Sequence, residues 1–313
     1  MRGLLDRRLI FVTGKGGVGK STVATALGLL ASRHGLRTIV AELAGQRRTL
    51  QAFQQEGAPF EEVKLAPGLF SISIDPQHAM EEYLRVKTGA VGHVLASSKL
   101  FSAFAMATPG MRELLSIGKI WELAQLQRRT RGAAPYDLVI VDAPATGHGA
   151  GILKTPRTFA DIARVGPIAH QGRAIAQTIA DRSFTALVAV ATAEEMPVNE
   201  TLAMREAADR EGLGLHGVVL NAVYPRRFGE EEAQQLRSLL PGTGSPAAHA
   251  ALRAALSEHA RVQIQEQQRE RLRDGLGTEL VELPYLFAAE LGPEHLGLLA
   301  DVLAGAIDGQ PLP

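Results

Sequence analysis

Eight residues constrain this chain more than any others: Gly14-Lys15-Gly16-Gly17-Val18-Gly19-Lys20-Ser21. They satisfy the pattern G-x-x-x-x-G-K-[ST], which acts as a phosphate loop when it joins a buried strand to the start of a helix. Leu9–Thr13 is a short apolar run that stops at a glycine, and Ser21–Arg33 is rich in Ala and Leu and is ended by Gly35. Thr38–Ala41 reads as the next strand. Strand, glycine loop, helix, strand is the opening of a doubly wound sheet. Glycines let the loop's N–H groups turn toward phosphate oxygens, and the helix start adds unpaired N–H groups and a positive dipole end. Residues Gly14 to Ser21, with Thr22, are therefore the candidate nucleotide-binding set. Lys20 is expected to reach the β- and γ-phosphates and Ser21 to ligand Mg²⁺, with ATP or ADP as the nucleotide.

The rest of the chain continues the alternation. Leu69–Ile74, Asp137–Val141, Ala186–Ala191, Val218–Leu220 and Leu280–Leu283 are further strand candidates, making seven in all. Helices are expected near Val198–Glu211, Glu230–Leu240 and Pro246–Leu276. From about Gln77 to Arg129 the sequence is helical in character, interrupted at Thr108-Pro109-Gly110. The expected fold is α/β: a doubly wound, mostly parallel sheet of the P-loop NTPase type with an inserted helical subdomain. One domain spans 1–313, with the insert at 77–130. A second anchor lies at the end of the strand over Asp137–Val141. Asp142 falls where open sheets bind ligands, and it is expected to hold Mg²⁺ directly or through water. Pro144, Gly147 and Gly149 make a following loop able to respond to a γ-phosphate.

Composition narrows the function by exclusion. Lys plus Arg and Asp plus Glu both number 33, so no overall charge points to nucleic acid. There is no cysteine, which removes disulfides, thiolate zinc sites and thiol redox chemistry. No stretch reads as a signal peptide or as a membrane span. The expectation is a cytoplasmic protein with no direct membrane insertion.

The full run from Lys15 to Ser21 resembles the deviant Walker A motif of the septum-site, plasmid-partitioning, nitrogenase iron protein, arsenical-pump and tail-anchored-protein targeting ATPases. The string Asp142-Ala143-Pro144-Ala145-Thr146-Gly147-His148 is similar to switch II of the arsenical-pump and targeting branch. Further matches are Ser73-Ile74-Asp75-Pro76 with Ala79–Tyr83, Gly110–Leu114 with Gly118-Lys119-Ile120, Thr155-Pro156, Glu200-Thr201 and Leu220-Asn221. The resemblance covers about residues 9–300 and is nearest to bacterial, actinobacterial-type members. It implies an ATP-driven dimeric switch in which Lys15 reaches across the dimer to the partner's nucleotide. It also implies that Asn221 reads the adenine edge and that Pro284, with Tyr285-Leu286-Phe287, closes over the base. From the residues alone, a strand-end Asn such as Asn221 is more often a turn former.

One segment departs from that pattern. The family carries Asp-Pro-Ala-His after strand two, its aspartate orienting the attacking water. Here Ala41-Glu42-Leu43-Ala44-Gly45-Gln46-Arg47-Arg48 stands in its place, with Ala44 nearest the expected acid. Gln46 is the candidate to hold a catalytic water, and Arg47 or Arg48 to neutralise developing charge, against a plainer reading of all three as exposed loop residues. The expected activity is ATP hydrolysis that is weak alone and works with a paralogous subunit. An active homodimer, using Gln46 or Glu42, and a non-hydrolysing nucleotide-binding protein remain alternatives. The apolar stretch from Val91 to Leu123 reads as core packing for most of its residues, and as a groove for a hydrophobic or membrane-protein client in the family's light. Arsenite transport is not expected, since the metalloid-binding thiolates are missing.

Overall fold

The computed structural model describes residues 1–43, 45–85, 110–130, 132–144, 167–242, 244–277 and 280–309. Among these, eight strands form one sheet in the order β3-β4-β2-β5-β1-β6-β7-β8. The strands are β1 (Leu9–Thr13), β2 (Thr38–Leu43), β3 (Val63–Ala66), β4 (Leu69–Ile74), β5 (Leu138–Asp142), β6 (Thr185–Thr192), β7 (Gly217–Val223) and β8 (Leu280–Pro284). Every pairing is parallel except β3 with β4. The seven expected strands are all present, and β3 is an eighth that joins β4 as an antiparallel edge.

Helices cover both faces. They are α1 (Lys20–Arg33), α2 (Arg48–Ala52), α3 (76–85), α4 (Met111–Leu123), α5 (Pro167–Ala180), α6 (Glu195–Arg210), α7 (Glu230–Leu239), α8 (Pro246–Leu276) and α9 (Pro293–Asp308). The period-two alternation of the strands decides which face each side chain meets. Ile10 and Val12 point into a core with Leu27 of α1 and Leu299 and Leu303 of α9. Leu9 and Phe11 point the other way, into a core with Ile117 and Ile120 of α4 and Ile175 of α5. A third cluster packs Val198, Leu272 and Leu276 on Ala189, Ala191 and Leu220. Each fully buried aliphatic side chain contributes roughly 1.5–3 kcal/mol.

Local signals set the helix ends. The side chain of Ser245 accepts from Ala248 N, Pro246 opens α8, and Gly277 closes it in the left-handed conformation. Asp75, the Asp-Pro that sits too late in the chain to be the missing switch acid, caps α3: its Oδ1 accepts from Gln77 N and His78 N, each at 3.0 Å.

Helix α4 and the segment after it are tied to α3 and to the start of β3 by largely buried charge. Lys119 pairs with Glu82 (2.8 Å) and Glu122 (3.0 Å). Arg128 pairs with Glu122 (2.9 Å) and Glu62 (2.5 Å), and Tyr136 Oη donates to Glu62 at 2.7 Å. Burial pushes the Glu122 carboxyl up, but Arg128 and Lys119 more than offset it and hold it below the ordinary range. Of the apolar stretch weighed as core or groove, Leu114, Ile117, Ile120 and Leu123 are buried core. Val91 to Met106 lie outside the described residues.

Candidate functional site

The strand order brings the carboxyl ends of β1, β5 and β2 together. Val12 stands beside Asp142, and Asp142 beside Glu42. This is the crevice where doubly wound sheets take ligands. Between β1 and α1 the glycine loop turns as its sequence requires. Gly14 and Gly19 have φ of 147° and 90°. A Cβ at Gly14 would strike the Val190 carbonyl, and one at Gly19 the Asn221 amide, so backbone from β6 and a side chain from β7 press on the loop. Helix α1 opens at Gly19 with no side-chain cap and no acid in its first turn. Its 14 residues thus present an unneutralised positive end toward the loop.

Lys20 is 6% exposed, and its Nζ donates to the Lys15 carbonyl at 2.8 Å. Burial lowers its pKa, opposed by the Asp142 charge and assisted by Arg48. Ser21 Oγ donates to Asp142 Oδ2 at 2.5 Å. Asp142 is 2% exposed, and its other oxygen, Oδ1, has no hydrogen-bond partner among the described residues. Burial raises the Asp142 pKa, against the pull of Ser21, Lys20 and Arg48. A buried carboxylate oxygen left unpaired beside a serine hydroxyl is a hard-oxygen donor set, and it fits Mg²⁺.

Lys15 is half-buried and its Nζ pairs with Glu200 Oε1 of α6 at 3.2 Å. Thr22 is half-buried in the first turn of α1, and Gly16 and Gly17 are exposed. Asn221 is a strand residue of β7 whose Nδ2 donates to the Val18 carbonyl at 3.0 Å. That bond uses one of the amide's two N–H donors. Pro284 ends β8, and beyond it Tyr285 stacks on Tyr224 with ring centroids 4.5 Å apart. Gln46 is half-buried in the loop from β2 to α2. Ala44 and the switch II residues from Ala145 onward lie outside the described residues, as does Thr155-Pro156.

The segment after β2 holds what the sequence did not reveal. Glu42 is fully buried, and its carboxylate caps α2: Oε1 accepts from Arg48 N (2.7 Å) and both oxygens from Thr49 N (3.2 and 3.3 Å). Burial pushes its pKa up to about 7, partly countered by those N–H groups and reinforced by the neighbouring Asp142 charge. The cap in turn fixes Arg48, whose Nη1 donates to Ser21 Oγ at 3.4 Å. The acid followed six residues later by the first residue of a short helix was the available signal, but α2 is too short to show an apolar period.

Comparison with known proteins bears on the same residues. Residues 7–165, which carry the glycine loop and Asp142, match the family described as anion-transporting ATPase. A relative named ATPase BagA, from Mycobacterium tuberculosis, is 32% identical over 256 residues, 76% of this chain and 74% of its own length. The chain belongs to the anion-transporting ATPase family. An arsenical pump-driving ATPase of Escherichia coli is 25% identical over 238 residues, covering 69% of this chain and 40% of that protein. An ATPase ASNA1 homolog of Paramecium tetraurelia is 28% identical over 148 residues, covering 47% of this chain and 43% of that one. Membership of this ATPase family carries nucleotide binding with it.

A cavity of about 150 Å³ lies between α3, α4 and α5, with Met80, Tyr83, Met111, Leu115 and Ile175 among its walls. No helix among the described residues is long and apolar enough to cross a membrane.

Proposed function

We propose that this chain is an ATP-binding switch: it holds ATP·Mg²⁺ on the loop from Gly14 to Ser21, pairs with a second subunit, hydrolyses slowly alone, and works with a paralogous ATPase subunit. The observation that carries the reading is the buried set of Lys20, Ser21 and Asp142 at the start of an uncapped helix. Lys20 countercharges the β- and γ-phosphates, and the loop N–H groups take the remaining oxygens. Ser21 and Asp142 would hold Mg²⁺, which would offset the negative charge of the phosphates. Asn221, braced against Val18, and Pro284 with the aromatic pair beyond it stand on the base side.

Slow turnover follows from the segment after β2. Leu43 to Arg47 contain no carboxylate, and Glu42 is turned inward to cap α2 rather than toward a water. Losing a water-positioning acid slows hydrolysis without spoiling nucleotide binding, because positioning and charge stabilisation are separate contributions. Lys15 is half-buried against Glu200 in its own chain, and in the dimeric reading it leaves that pair to reach the partner's nucleotide. The helical insert at 77–130 is the part that would convey nucleotide state to a hydrophobic client.

The test is steady-state ATP turnover by the purified chain, then by mixtures with the organism's nearest paralog, each repeated with Lys15→Ala. Weak turnover alone, raised by the paralog and lost with Lys15→Ala, is the expected pattern. Robust turnover by the chain alone would refute the partnership. Stimulation that survives Lys15→Ala would remove the proposed role of that lysine.

A further inference from the structure

We propose that Arg48 contacts the terminal phosphate of ATP bound to its own subunit, and so sets a preference for ATP over ADP. This rests on the reading of the glycine loop as the nucleotide site. Arg48 is exposed, but the start of the helix that carries it is held in place. The Arg48 backbone N–H is fixed by Glu42, a fully buried carboxylate, at 2.7 Å. The next residue, Thr49, is itself buried; its Oγ1 lies 3.2 Å from Thr25 Oγ1, and Thr25 Oγ1 donates to the Ser21 carbonyl at 2.7 Å. The start of α2 is thus bolted to the first turn of α1, the turn that carries Ser21.

From that anchor the guanidinium reaches the site. Arg48 Nη1 donates to Ser21 Oγ, which donates onward to Asp142 Oδ2. It is also close enough to Lys20 for the two charges to act on each other. In a phosphate loop the backbone cradles the inner phosphates, while the serine hydroxyl and its metal stand where β- and γ-phosphate oxygens meet. A guanidinium arriving on the serine from the β2 side therefore faces the outer end of the phosphate chain. Its planar fork of donors suits a phosphate group with several free oxygens. ADP lacks the group that Arg48 would grip.

Titration calorimetry with ATP·Mg²⁺ and ADP·Mg²⁺ on the full chain, Arg48→Ala and Lys20→Ala tests this. Truncating Arg48 leaves the α2 cap intact, because Glu42 bonds to backbone N–H groups; thermal unfolding checks that, and Arg48→Gln serves as a second variant. Arg48→Ala is expected to weaken ATP by about tenfold or more, and ADP by less than about twofold. Equal weakening of both nucleotides, or no change in either, overturns the role of Arg48 while the wild-type chain still binds. If the wild-type chain binds neither nucleotide, or Lys20→Ala changes nothing, the underlying site assignment fails instead.

Discussion

Replacing Glu42 with glutamine should change how stability depends on pH. In the folded chain this carboxyl is fully buried beside Asp142, and its pKa rises from 4.5 to about 7. Between those values the folded state holds a proton that the unfolded chain has released. Stability therefore falls as pH rises through the window, at roughly 1.4 kcal/mol per pH unit, for a loss of about 3 kcal/mol by pH 8. Glutamine keeps a carbonyl oxygen to accept from Arg48 N and Thr49 N but has no charge to bury. The two proteins should accordingly differ little at pH 4.5, and the variant should gain about 3 kcal/mol relative to wild type by pH 8. Urea unfolding of both proteins at several pH values measures this directly, since the titration of most other groups cancels in the difference. A difference that stays flat with pH, or that moves in favour of wild type as pH rises, would refute the reasoning.

Asp142→Asn should weaken nucleotide binding in Mg²⁺ more than in EDTA, because it removes a carboxylate with one unpaired buried oxygen; equal changes in paired titrations would make Asp142 a structural residue. Glu122→Ala should cost about 3 kcal/mol in denaturant unfolding, since it strips a shared partner from the buried Lys119 and Arg128 charges. Loss of well under about 1 kcal/mol would show that Glu82 and Glu62 suffice for those cations.

How far the sequence carried the structure depended on whether a signal was local. The glycine loop, β1 and α1 were legible because strand, turn chemistry and helix follow one another within 25 residues, Leu9 to Arg33. The 31-residue α8 was legible from Ser245, Pro246 and Gly277. Strand β3 was not: Val63–Ala66 is only half-buried, includes an exposed lysine, and owes its conformation to pairing with β4. Helix α9 passed unnoticed although Pro293 opens it and Gly309 closes it in the left-handed conformation, the same end signals that mark α8. Within the site, Lys20, Ser21 and Asp142 meet as motif and strand position foretold. The linkage from Glu42 through the α2 cap to Arg48 and Ser21 did not emerge, for it joins a strand end, a five-residue helix and a separate helix through space. Glu200 facing Lys15 escaped for the same reason.

Residues 14–21 are proposed to hold the phosphates of a nucleotide, and Lys20 is the residue through which to measure it. Calorimetric titration of ATP·Mg²⁺ into the wild-type chain and into a folded Lys20→Ala variant should show saturable binding to the first. Affinity should drop by at least about tenfold in the second, as expected when a charge-assisted contact to phosphate is removed. Unchanged affinity in a Lys20→Ala protein that unfolds at the wild-type temperature would show that this loop does not hold the phosphates.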